Sequence, residues 1–253
     1  MSILLALYNV IKFSCYMIFK GPLNFNVELL FWIFNGILFG SFKGAIFSIL
    51  CDTIFCFITT GIGYWMIEYA IVAPLVSIIS SLFMSLYKNN KQSIYIAIFT
   101  VSIALIGALI IFIFQLFSDQ FRYEGVQKNN IVPIAIYILI IFLSLSTLSY
   151  LIYSLIKYYL TKDWSYIKKI YILSLIILII VIFRWLWGPY AYLKYSQRFY
   201  SKNINFAKQY PLSLFGIVSK TYLTIPIAFT ISIPTIRIIE KYKNYEQLDN
   251  KFI

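Results

Sequence analysis

Residues 131–156 read IVPIAIYILIIFLSLSTLSYLIYSLI and carry no charge. As an α-helix this stretch reaches about 39 Å, more than the roughly 30 Å of a bilayer's hydrocarbon core. It does not alternate polar with apolar, so it is not the strand of a membrane barrel. Working outward, Ile94–Phe117, Ile170–Ile182 and Ile225–Ile233 are also free of charge. The whole chain is 61% hydrophobic and 12% charged, with a mean hydropathy of +0.84. A soluble domain is nearer half apolar and a quarter charged. These runs predict an all-α, polytopic transmembrane bundle of about eight helices, near 2–20, 27–39, 42–60, 65–87, 92–118, 131–160, 167–190 and 212–239. The turns fall at Gly21-Pro22, Gly40-Ser41, Gly61-Ile62-Gly63, Lys88–Lys91 and Pro211. One integral membrane domain, 1–253, is expected. Met1–Phe19 lacks a basic leader and a small-residue cleavage site, so it reads as a retained first helix interrupted by Lys12.

The 21 Lys and Arg against 9 Asp and Glu leave a formal charge of +12. These basic residues are scattered between apolar runs, which suits bilayer-flanking anchors and argues against nucleic acid as a partner. Eight spans place both termini on one side. A cytoplasmic location for both gives the inner turns a slight basic excess, and a clear one once Arg184–Lys220 is set aside as a basic outer loop. The chain has no histidine, which removes most zinc sites and Ser-His triads. Cys15, Cys51 and Cys56 lie in apolar segments and read as packing residues. No phosphate-binding GxxxxGK[ST] loop is present. No metal and no cofactor is expected.

Polar residues inside apolar runs are the informative ones, because charge in hydrocarbon is costly and usually faces protein. Asp52 follows Ser48-Ile-Leu-Cys51. It reads either as a partner for a neighbouring group, Lys43 or a backbone amide, or as a ligand contact. Glu68 follows Tyr64-Trp65-Met66-Ile67 and reads either as a member of an interfacial aromatic belt or as a ligand contact. Small residues recur at Gly36, Gly40, Gly44 and Ser48, a spacing that lets helix backbones approach closely.

The pattern Gly36-Ile-Leu-Phe-Gly40 through Gly44-Ala45 to Asp52 resembles the S components of energy-coupling-factor (ECF) vitamin transporters, nearest the folate type. Two further pieces look similar. Trp185-Leu186-Trp187-Gly188 resembles the Trp-rich end of a penultimate helix. Lys220, six residues before Pro226-Ile227, resembles a basic residue opening the last helix. The likeness covers about 1–87 and 167–240. It departs at Ile217, where the family has Arg, in the absence of a Pro-Gly-Phe-Thr-like stretch at the start of the fourth helix, and at Ser80, Ser81 and Ser85 later in that helix. Residues 92–160 would be a two-helix insertion into a six-helix core.

The resemblance implies a substrate-binding subunit in the cell membrane, not an enzyme. Such a subunit captures a vitamin at the outer face and releases it inward on an ECF T subunit driven by two ABC-type ATPases. It implies ligand contacts from Tyr64, Trp65, Glu68, Arg184, Trp185, Trp187 and Lys220. Aromatic rings would stack on a flat heterocycle, and basic groups would meet an anionic ligand such as a folate. For Lys220 the competing reading is a side chain snorkelling to the headgroups. Docking on the partner would use Ala6, Gly36, Gly40 and Gly44. Two other classes remain open: an intramembrane enzyme or lipid-handling protein using Asp52 and Glu68 as an acid pair, and a structural membrane protein.

Overall fold

The computed structural model describes residues 2–18, 27–87, 92–103, 106, 131–200, 206–221 and 224–249. Among them there is no strand, and the protein is all-α. The helices are α1 (Ser2–Ile18), α2 (Val27–Thr59), α3 (Ile67–Ala70), α4 (Val72–Ser85), α5 (Gln92–Ile103), α6 (Ile131–Thr161), α7 (Trp164–Ile179), α8 (Trp187–Tyr200), α9 (Phe206–Thr221) and α10 (Thr224–Asp249). A π-helical segment, Ile180–Leu186, joins α7 to α8. Among the described residues, three helical stretches have the length and hydropathy needed to cross a membrane: Glu28–Thr59, Ile67–Ser85 and Trp164–Tyr200; the first is interrupted at Gly40 and counts as two shorter segments. The expected turns at Gly21-Pro22 and Lys88–Lys91 lie outside the described residues.

The chain divides into two compact units, 1–86 with 224–253, and 87–223. In the first, α2 is broken at Gly40, whose φ of 79° and ψ of −177° leave the helical region. Glycine reaches a positive φ without a Cβ clash. The break is a reversal. Asn35 Nδ2 donates to Ser48 Oγ at 3.1 Å, although a straight helix would hold these residues about 20 Å apart. The stretch 28–59 is therefore a helical hairpin. Its arms, 27–39 and 41–59, are about 20 and 28 Å long at helical rise. They correspond to the two helices expected there. Both α1 and α4 pack on this hairpin, and so does α10.

In the second unit, α6 and α7 are joined by Lys162 and Asp163. Lys162 adopts a left-handed conformation (φ 56°), the usual way to end a helix. Asp163 accepts from Ser165 N at 2.9 Å and caps α7. So short a link makes neighbours of the two helices. Beyond Lys169, α7 is apolar on nearly every side, and nearly every residue of 170–180 is buried, as expected of a helix at the centre of its unit. Because α6 packs on α7, and the π segment on α8 and α9, residues 131–160 share a unit with 164–221.

Several boundaries differ from expectation. The helix expected to end near 190 runs on through the π segment to Tyr200. Pro189 has no N–H to offer the carbonyl of Trp185. The wider π turn accommodates that gap; the N–H of Trp187 reaches back to Ile182 O, five residues earlier. The expected basic loop over Arg184–Lys220 is consequently largely helical, as α8 and α9. The expected helix over 212–239 is two helices, α9 and α10. Lys220 stands in the last turn of α9 and does not open the final helix. Pro226 sits in the first turn of α10, where a missing N–H costs least. The last helix, expected to end near 239, continues as α10 to Asp249.

Candidate functional site

The most concentrated chemistry in the first unit gathers around Lys12. The Gly40 reversal brings Glu28 and Asp52, equally far from the turn along the chain, to one level of the hairpin. A straight helix would separate them by about 36 Å. Lys12, projecting from α1, meets both. Its Nζ lies 2.8 Å from Glu28 Oε2 and 3.0 Å from Asp52 Oδ1. It also donates to the Tyr8 hydroxyl, one turn earlier on α1, at 3.0 Å. The ring of Phe55 lies under the ammonium, 4.1 Å from Nζ to the centroid. The three charged side chains are only 13–23% exposed. Tyr8 is buried edge-on against Phe31, with ring centroids 5.1 Å apart. Beneath the ions, Tyr8, Phe47 and Cys51 form a small apolar core, with Leu5, Phe31, Phe39 and Phe55 around it.

This cluster changes the neighbour expected for Asp52, not its reading as a paired acid. It pairs with Lys12, not Lys43, and Lys43 is exposed. Nine residues along one α-helix place Lys43 and Asp52 on opposite faces, about 14 Å apart. Cys51 is buried in the core beneath, consistent with a packing residue.

The small-residue row is used within the unit. A Cβ added at Gly36 would lie 2.1 Å from Ser77 O on α4. One at Gly44 would lie 2.6 Å from Asn35 O on the other arm and 2.7 Å from Ser77 Oγ. Backbones touch at both positions, and only hydrogen fits. Gly40 meets nothing within 4 Å, and its conformation alone requires glycine. Of the four expected docking residues, Gly36 and Gly44 thus bind α2 to α4 and to itself. Ala6 is exposed on α1, with Val10 and Ser14 one and two turns further along the same face.

The expected ligand residues fall in both units. Tyr64 and Trp65 are exposed in the short link after Gly61, and Glu68, half-buried, follows in α3. In the second unit, Arg184 and Trp185 lie in the π segment, Arg184 half-buried and Trp185 buried. Trp187 opens α8 and packs against Tyr190 at 5.3 Å between centroids. Tyr190 in turn approaches Phe206 of α9 at 6.5 Å, and Lys194 Nζ stands 5.5 Å from that ring. Tyr210, also on α9, donates its hydroxyl to Leu186 O at 2.8 Å. Burial pushes the Tyr210 phenol up from its ordinary value of 10.0, so it remains a donor.

In the sequence Lys12 stands out only as an interruption of the first helix, and Glu28 has no assigned role. The sequence shows Lys12, Glu28, Lys43 and Asp52 in three consecutive apolar segments, and it is the fold that selects which of them meet. Lys194, Phe206 and Tyr210 carried no comparable signal. The chain matches no known protein family, no curated protein and no solved structure.

Proposed function

We propose that this chain is a substrate-binding subunit of the S-component kind. It lies in the cell membrane with both termini cytoplasmic. It captures a vitamin or related micronutrient at the outer face, with a folate the first candidate. An ECF T subunit and two ABC-type ATPases drive release inward. The observation that carries the reading is the Gly40 hairpin. Gly36, Gly44 and Asp52, on which the resemblance rests, belong to one spatial unit, in which glycines allow backbone contact and the acid is held by a partner. Ala6 and Ser14 on the exposed face of α1 support docking there, because small side chains let another helix approach. Arg184 and the aromatic group around Trp187 support an anionic, flat ligand.

Asp52 is engaged by the Lys12 ammonium. That arrangement favours a structural acid over an acid–base pair with Glu68 and so favours transport over intramembrane catalysis.

The test is co-expression with a tagged T subunit and its ATPases, followed by purification and native mass spectrometry of the untagged chain. Co-elution, with a retained small molecule that folate or another vitamin displaces, is expected. A folded, monodisperse protein that neither co-elutes nor binds any vitamin overturns the proposal.

A further inference from the structure

α1 poses a physical problem of its own. Its sequence, SILLALYNVIKFSCYMI, is apolar on nearly every side. In water, an amphipathic stripe would set which face turns inward. In lipid that force is absent, because acyl chains are as apolar as leucine. Leu7, Val10 and Phe13 point out of the unit, while Leu5 packs inward, and nothing in their hydrophobicity explains the difference. Asn9 is satisfied within α1, its Nδ2 donating to Leu5 O at 2.9 Å. Lys12 is the one charged residue in the helix.

We infer that Lys12 is the positioning residue of α1: its ammonium, held between a carboxylate on each arm of the α2 hairpin, sets the rotation of α1 about its own axis. Glu28 and Asp52 belong to different arms, so the ammonium is held from two sides. α1 can neither roll toward one arm nor turn its charge into lipid without losing a partner. Tyr8 lies one turn away on the same face, and its hydroxyl joins the same set of contacts. The residues that α1 presents outward, Ala6 and Val10 among them, are a consequence of this attachment. The inference concerns contacts within one unit, and it stands whether or not the chain docks on a transporter.

The experiment uses Cys51, buried beside Leu5 in the apolar core, as a fixed reporter. Cys15 and Cys56 are replaced by Ala. A second cysteine is placed either at Leu5, facing the core, or at Val10, facing outward. With Lys12 present, iodine-driven disulfide formation with Cys51 in membranes should favour Leu5→Cys over Val10→Cys by about tenfold or more, because a disulfide forms only between side chains in contact. In Lys12→Met the ratio should fall to within about twofold, because no charge remains to choose a face. Lys12→Arg should restore it. Tyr8→Phe, which keeps the ring and the ion pairs, should leave it unchanged. If Lys12→Met does not accumulate, the double variant Glu28→Gln/Asp52→Asn removes the holding charges and should collapse the ratio in the same way. A ratio that stays near the original value in both backgrounds overturns the inference and assigns the rotation of α1 to side-chain packing.

Discussion

Two places in the molecule carry the same punctuation and meet opposite fates. At Gly40 the chain reverses into a hairpin; at Gly188-Pro189 the helix continues to Tyr200. What separates them is local. Gly40 takes a positive φ in open space, and the arms on either side are drawn together by contacts that require reversal: Gly44 on Asn35, the Asn35–Ser48 hydrogen bond, and one ammonium shared by Glu28 and Asp52. Around Gly188 the π segment relaxes the turn, and an added Cβ would meet nothing closer than 3.6 Å. A glycine in a membrane helix therefore marks a turn only when the flanking segments have something to gain by folding back. The two units follow suit. The first is held by close backbone approach and buried polar pairs, the second by large apolar side chains around α7.

The strongest way to break this contrast is to put a methyl group where backbones touch. Gly36→Ala places a Cβ against the Ser77 carbonyl, a backbone atom that cannot swing away. We expect a loss of about 3 kcal/mol or more in SDS-titration stability, or failure to accumulate. Gly40→Ala, strained in conformation but free of clashes, should lose only about 1 kcal/mol. Equal losses at the two positions would show that Gly36 is not a contact point.

The second unit should yield less to a single truncation. Ile176 is fully buried on α7. In a soluble core, Ile→Ala costs about 2–5 kcal/mol, part of which is transfer of the side chain from water. In a bilayer the unfolded helix remains in lipid, so mainly the cavity and packing part survives. Ile176→Ala should lose about 1–2 kcal/mol in the same titration. A loss as large as that of Gly36→Ala would erase the distinction between the units.

The all-α character and the apolar spans were legible because length and hydropathy suffice for them. The Gly40 turn was legible for the same reason. Lys12 was visible, but its choice of Asp52 and Glu28 was not. That choice depends on the hairpin's register, which Gly36, Gly44 and Ser77 set through contacts distant in sequence. The expected partner, Lys43, fails on helical geometry, since it lies on the opposite face of the same arm. The π segment was illegible because Trp185-Leu186-Trp187-Gly188-Pro189 reads as a helix end. In the structure the helix continues, with α9 packed behind the π segment as a support that lies distant in sequence.

That support gives the smallest and most specific test. Pro189 disturbs the carbonyl ladder of the π segment, and Tyr210 supplies a donor to Leu186 O. Tyr210→Phe keeps the ring and removes that donor. A neutral intramolecular hydrogen bond contributes about 0.5–1.5 kcal/mol net, so a loss at the low end of that range is expected near neutral pH. The pH dependence identifies the group. Burial raises the phenol above its ordinary value of 10.0, so the folded protein holds this proton more tightly than the unfolded chain. By linkage, the contribution of Tyr210 is complete below pH 10 and declines as pH rises past it toward the raised value. The gap between the native protein and Tyr210→Phe should therefore close above pH 10 as the unfolded phenol ionises. A gap that stays constant through that range would mean that Tyr210 stabilises α9 through its ring and not through its hydroxyl.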